Sequence, residues 1–187
     1  NQGKRILVVV GAGHLEGLAK YLAEDQADPV IEVAELSILP PPTRWVKFIP
    51  WVIAALVITG FWIGFARSPE LGWQLVTLWV LINGGFAALG ALIARGHPLT
   101  ILSAMLAAPL TSLNPAVAAG MVTGLVESWL RKPKVSDLEK LRDDATTLKG
   151  WFRNPATRIL LVFFFSNLGS AIGTWVAGFQ IFGALSS

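Results

Sequence analysis

The side chains in this sequence that could do chemistry are few and far apart. Gly11-Ala12-Gly13-His14 follows the β-branched run Ile6-Leu7-Val8-Val9-Val10. His14 therefore falls where a strand gives way to a helix, the place at which α/β proteins gather active-site groups. An imidazole there can bind a metal or act as a base near neutral pH. A turn histidine held by a hydrogen bond has the same sequence signature. Gly11, Gly13 and Gly17 give G-x-G-x-x-x-G, which departs from the dinucleotide fingerprint. The chain has no Cys, which excludes thiolate catalysis, disulfides and Cys-based zinc sites. The other candidates, His97, Ser112, Asn114, Pro115 and Glu127, sit in apolar surroundings. An acid such as Glu127 within a membrane helix is a functional candidate, although Arg131 four residues on offers it an interfacial ion pair. Asn114-Pro115 joins a good N-cap to a residue favoured at the first helical position. It marks a break that could line a path for a solute.

Composition says what must position these residues. Of 187 residues 53% are hydrophobic and 14% charged, and mean hydropathy is +0.59. Soluble domains carry about 25% charged residues, so a disordered chain is excluded and an integral membrane protein is expected. Residues 46–130 hold only Lys47, Arg67, Glu70, Arg95 and Glu127 as formal charges, and residues 159–187 hold none. Residues 131–158 concentrate eight Lys or Arg. The net charge of +3 fits basic cytoplasmic loops, not nucleic-acid binding.

The chain divides at about residue 43. Residues 1–43 read as a strand–turn–helix fragment of a soluble α/β domain, with Leu15, Leu18, Ala19 and Leu22 on one helical face and a second strand near Val30-Ile31-Glu32-Val33. Such a fragment buries no core alone. It is expected to complete a sheet supplied by a missing N-terminal domain or a partner chain. Pro40-Pro41-Pro42 is a stiff spacer. Residues 44–187 read as a helical membrane domain with spans at 45–66, 71–94 and 158–185. Residues 98–130 are too long for one span and too short for two; they predict a broken, re-entrant hairpin stopping near Ser112 and restarting at Pro115. Residues 135–149 predict one amphipathic surface helix, capped at Ser136 and Glu139 and ended by Gly150. Asn154-Pro155 opens the last span. There Ser166, Ser170, Thr174 and Gly178, beside Gly169, Gly173 and Ala177, give a small-residue face for close packing or for a homo-oligomer. Counted from Arg44 onward, with the re-entrant hairpin and the N-terminal part inside, eleven Lys or Arg (Arg44, Lys47, Arg95 and the eight of 131–158) are cytoplasmic and only Arg67 is outside. A single tilted span at 98–130 gives a poorer nine against three.

Asn114-Pro115-Ala116 resembles the tripeptide of aquaporin half-helices, but one copy does not make a water channel. The order of elements is more specific: Val9-Val10-Gly11-Ala12-Gly13-His14-Leu15, then His97-Pro98 and Pro109-Leu110-Thr111-Ser112-Leu113-Asn114-Pro115. On these residues nearly the whole chain resembles the C-terminal half of the TraB family, which includes pheromone-shutdown proteins of the PrgY type and is related to Tiki proteases. The resemblance implies a divalent-metal-dependent peptide hydrolase in which Gly11 to His14 is the second of two G-x-x-H motifs. It also implies a soluble domain held outside, against the charge count. The first motif and a required acid are absent from this sequence. One His cannot hold a catalytic metal, which commonly takes three protein ligands, so this chain alone is not expected to be an enzyme. His14 would be one ligand or base of a peptide-cleaving site completed upstream. The alternative is a non-enzymatic membrane subunit or small-solute carrier using the break near Asn114. The expected location is the bilayer of a bacterial or archaeal plasma membrane.

Overall fold

The computed structural model describes residues 7, 9–24, 33–34, 37, 48–114 and 116–186. The chain divides into two units, Asn1–Thr43 and Arg44–Ser187. In the first unit, helix α1 (Ala12–Glu24) begins at the glycine turn. No strand occurs among the described residues. Of the expected strand, Leu7 and Val9 are 90% and 89% exposed, and a β-rich run without a neighbouring ladder has nothing to pair with. Val33 lies in a helical turn closed by the Ser37 N–H on its carbonyl, 3.0 Å. Ile6, Val8, residues 30–32, the triple proline and residues 45–47 lie outside the described residues.

The second unit is helical. α2 (Ile49–Arg67) and α3 (Pro69–Ile93) are joined through Ser68 alone. Its N–H closes α2 on the Gly64 carbonyl at 3.1 Å, and its Oγ accepts the Leu71 N–H at 3.1 Å to start α3. The Pro69 ring at the first position suits that start. α3 ends in a turn with Arg95 at φ 56°, and the Gly96 N–H returns to the Ala91 carbonyl at 2.9 Å. α4 (Pro98–Thr111) and α5 (Ala119–Arg131) follow. Three short helices, α6 (Val135–Glu139), α7 (Leu141–Asp144) and α8 (Leu148–Arg153), lead into α9 (Pro155–Ser186).

Three of these helices, α2, α3 and α9, are long and apolar enough to cross a membrane. The bundle they form is inverted relative to a soluble one. Its buried residues are mostly small or polar: Ala87, Ala91, Ala104, Ala108, Asn83, Thr123, Ser166 and Ser170 among them. Large apolar side chains point outward, with Trp62, Phe179 and Phe182 each at least 70% exposed. Small residues let backbones touch. A Cβ on Gly169 would stand 2.2 Å from the Phe86 carbonyl oxygen, and one on Gly90 would stand 2.1 Å from that of Phe165. Ser166, Gly169, Ser170, Gly173 and Ala177 of the small-residue face are buried, and Gly169 and Gly173 meet α3 within the chain. Gly178 faces open space.

The surface segment is a correction. Its apolar spacing predicts one helix over 135–149, yet it forms α6, α7 and part of α8. Tertiary bonds compete with the helix. Buried Asn154 donates Nδ2–H to the Asp137 carbonyl (2.7 Å) and to Asp144 Oδ2 (2.9 Å). Trp151 Nε1–H reaches back to the Ala145 carbonyl (2.8 Å). Gly150 is no C-cap; it is buried inside α8, where a Cβ would lie 2.0 Å from the Asp144 carbonyl oxygen. The start of α6 is capped by Asp137, not Glu139, with the Lys134 N–H donating to its carboxylate at 2.8 Å.

Gly169→Ala is expected to lower unfolding stability in detergent by about 2 kcal/mol through overpacking on a rigid carbonyl. Gly183→Ala, which meets nothing within 4 Å, should leave it within error. Equal thermal midpoints for the two variants would refute the backbone contact.

Candidate functional site

The membrane-domain candidates separate into two polar centres, one at each end of the α4–α5 pair. At the base, Glu127 near the end of α5 is fully buried. Its carboxylate accepts the Thr100 hydroxyl at 2.6 Å and the His97 backbone N–H at 2.9 Å, both from the start of α4. Arg131, one turn on, donates Nε–H to the other carboxylate oxygen and Nη2–H to the Arg95 carbonyl at 3.2 Å. A carboxylate so supplied has its lone pairs satisfied, the condition under which a charge can be buried. His97 caps α4: its Nδ1 accepts the Leu99 N–H at 3.2 Å.

These contacts fix topology. The first turn of α4 touches the last turn of α5, so the two helices form an antiparallel hairpin that opens and closes at one end of the bundle. At about 1.5 Å per residue each is only about 20 Å long.

The hairpin tip is the second centre. α4 carries Pro109, which lacks an N–H, and the Pro109 carbonyl accepts buried Trp79 Nε1–H at 3.0 Å. Ser112 Oγ donates to Asn83 Oδ1 at 3.1 Å and lies 2.8 Å from Ser170 Oγ. Asn83 Nδ2 donates to Thr174 Oγ1 at 2.8 Å. This network ties the tip to the middle of α3, since Asn83 stands ten residues before Ile93, about 15 Å along the axis. Asn114 is exposed, and its side-chain oxygen accepts the Ala116 N–H at 3.1 Å. It closes a local turn instead of starting the second helix at Pro115. α5 begins at Ala119, and its open N–H at Gly120 is capped from α9 by Asn167 Oδ1, 2.8 Å. A cavity of about 320 Å³ opens beside the tip, lined by Ser112, Asn114, Asn167, Ser170 and Thr174 among others. Pro115 lies outside the described residues.

His14 belongs to the first unit. It is exposed at the start of α1, where its N–H bonds the Gly11 carbonyl at 2.9 Å. Among the described residues no three His, Asp or Glu side chains are close enough to hold a metal ion. The described residues therefore do not by themselves make the divalent-metal site that the G-x-x-H resemblance implies. Thr100, Asn83 and Asn167, which complete the two centres, carry no local motif. Thr100 is signalled only by its place one turn into the helix that His97-Pro98 opens.

Three long apolar helices around a hairpin of half-length helices define the class: an α-helical bundle compatible with a membrane protein, whose interior is polar at two levels. The chain belongs to the TraB family, and the model for the TraB family protein C-terminal domain matches residues 45–186. It is similar to an uncharacterized protein of Methanocaldococcus jannaschii, with 36% identity over 176 residues that cover 91% of this chain and 44% of that protein. The chain thus spans less than half the length of this curated relative. No solved structure matches it.

Glu127→Ala is expected to cost about 3 kcal/mol, because it leaves the buried Thr100 hydroxyl, the His97 N–H and the half-buried Arg131 guanidinium without their shared acceptor. Thr100→Val, which removes one hydroxyl, should cost about 1 kcal/mol. Reversible unfolding in mixed micelles measures both, and an Ala variant no weaker than the Val variant would show that the carboxylate does not close the hairpin.

Proposed function

We propose that residues 44–187 anchor a TraB-family protein in a lipid bilayer, with α2, α3 and α9 crossing it and the α4–α5 hairpin entering and leaving by one face. The observation that carries this reading is the antiparallel contact of Thr100 and His97 with Glu127, together with a tip bonded at mid-α3. Non-helical backbone at such depth is tolerated where protein surrounds it, and the Asn83–Ser112–Ser170 network holds the tip in protein. Arg95 and the eight Lys or Arg of residues 131–158 belong to the end where the hairpin opens, whereas Arg67 marks the other. The positive-inside tendency makes the first end cytoplasmic. The archaeal relative accords with a prokaryotic plasma membrane. Cysteines placed in this Cys-free chain test the arrangement. Those at Leu99 and Lys132 should react with an impermeant reagent from one face, that at Glu70 from the opposite face, and that at Ser112 from neither. Labelling of positions 99 and 132 from opposite faces would overturn the hairpin.

In the longer protein, His14 contributes one group to a divalent-metal-dependent site that cleaves peptides, the remaining ligands lying outside the described residues. Support comes from the G-x-x-H sequence, the family membership and the exposure of the imidazole at the head of α1. Full-length protein carrying His14→Ala should lose bound metal and peptide cleavage together; unchanged metal content and turnover remove His14 from the site. A second reading, a subunit that passes a small solute along the break, draws on the cavity at Ser112 and Asn114. Ready labelling of a cysteine at Ser112 from water would favour it.

A further inference from the structure

Three guanidinium groups gather at the base of the bundle around one short stretch of chain. Arg95 lies with its Cζ 5.0 Å from the centroid of the Phe152 ring. Arg158 donates Nε–H to the Phe152 carbonyl at 3.0 Å and also binds it through Nη2. Arg131 donates to Glu127 and to the Arg95 carbonyl. Arg95, Arg131 and Glu127 all lie within charge–charge range of Arg158. The cluster thus holds three fixed positive charges against one carboxylate. Among the described residues the Arg95 guanidinium donates to no acceptor, and Arg131 and Arg158 each keep an Nη1 edge unused.

The backbone is shaped to put Arg95 there. Its φ of 56° is the left-handed conformation that glycine usually takes at a helix end and that L side chains adopt at a cost. Gly96 stands next to it, yet Arg95 takes the unusual dihedral. The flanks of the cluster suit an amphiphile: Leu92, Ile93 and Leu160 are each more than half exposed on the same ends of α3 and α9. Acids elsewhere at this end are partly engaged, Asp144 by Asn154 and Asp137 by the Lys134 N–H.

We infer that the Arg95–Arg131–Arg158 cluster is a binding site for the phosphate of an anionic membrane phospholipid, whose acyl chains lie along the apolar sides of α3 and α9. A phosphodiester brings one negative charge and a pair of non-bridging oxygens that matches a guanidinium edge. Its natural depth is the interface at which this end of the bundle lies in the membrane reading above, on which this inference rests. A zwitterionic lipid carries its own cation to the same place and leaves the surplus unanswered.

The test uses the purified chain in detergent, with phosphatidylglycerol or phosphatidylcholine of matched acyl chains added and retention read by native mass spectrometry. Phosphatidylglycerol should be retained preferentially, and Arg95→Gln should reduce that preference by about fivefold, the value of roughly one interfacial charge. Arg67→Gln, at the opposite end, should leave the preference unchanged. Equal retention of the two lipids by the unmodified chain, or an undiminished preference in Arg95→Gln, overturns the site. If Arg95→Gln does not fold, ionic strength replaces it. Raising salt from about 0.05 to 0.5 M must remove most of the preference by screening, and a preference indifferent to salt overturns the proposal. Failure of the membrane reading looks different: the chain would be monodisperse in buffer without detergent.

Discussion

One carboxylate closes the structural centre of this chain. Glu127 is fully buried, and it can stay charged there only because a hydroxyl, a backbone N–H and a guanidinium converge on it. Those donors come from the first turn of α4 and from the last turn of α5 itself. The pairing folds 98–131 into an antiparallel hairpin, and it sets which ends of α3, α4, α5 and α9 meet. Without the carboxylate the hairpin would lose the clasp between the start of α4 and the end of α5 and lean on the alanine contacts of α4 with α3.

The interior follows a rule opposite to that of a water-soluble core. Large apolar side chains do not drive association where the surroundings are as apolar as they are, so close backbone contact and buried hydrogen bonds take their place. Gly90 and Gly169 meet carbonyl oxygens, and Asn83 ties α3 to both the tip and α9. The same rule explains how the tip is held against the middle of α3. Its frayed backbone and hydroxyls are answered by Asn83, Trp79 and Asn167, each delivered by a long helix.

Much of the helical layout was legible in the residues. Long uncharged runs announce α2, α3 and α9 because backbone satisfaction in an apolar setting leaves little but helix. Asn114-Pro115 announced the break, and the four-residue spacing of Glu127 and Arg131 announced a pair. What could not be read depends on partners distant in sequence. The second half of the hairpin starts at Ala119 because Asn167, 47 positions away, caps Gly120, while Asn114 spends its oxygen on its own turn. Residues 135–149 have the periodicity of one helix, but Asn154 and Trp151 draw their carbonyls and carboxylates out of it. Gly150 has the look of a stop and is in fact a contact point. The run at Leu7 and Val9 has strand composition, yet a strand is a property of a pair, and no ladder stands among the described residues. The placement of His14 at the head of α1 was visible; its neighbours in space were not, since a lone histidine says nothing of them.

The one-residue joint at Ser68 has a mechanical consequence. α3 and α9 meet by carbonyl and Cα atoms, which have no rotamers to yield, and so they move as a stiff spine. α2 meets α9 through the tips of Ile181 and Leu185 and meets α3 most closely at Gly64 and Gly72, beside the joint. Its grip is therefore rigid near Ser68 and pliant toward Pro50. Thermal motion in this bundle should concentrate in a swing of α2 about Ser68, widening and narrowing the seam along α9 like a door hung from one corner.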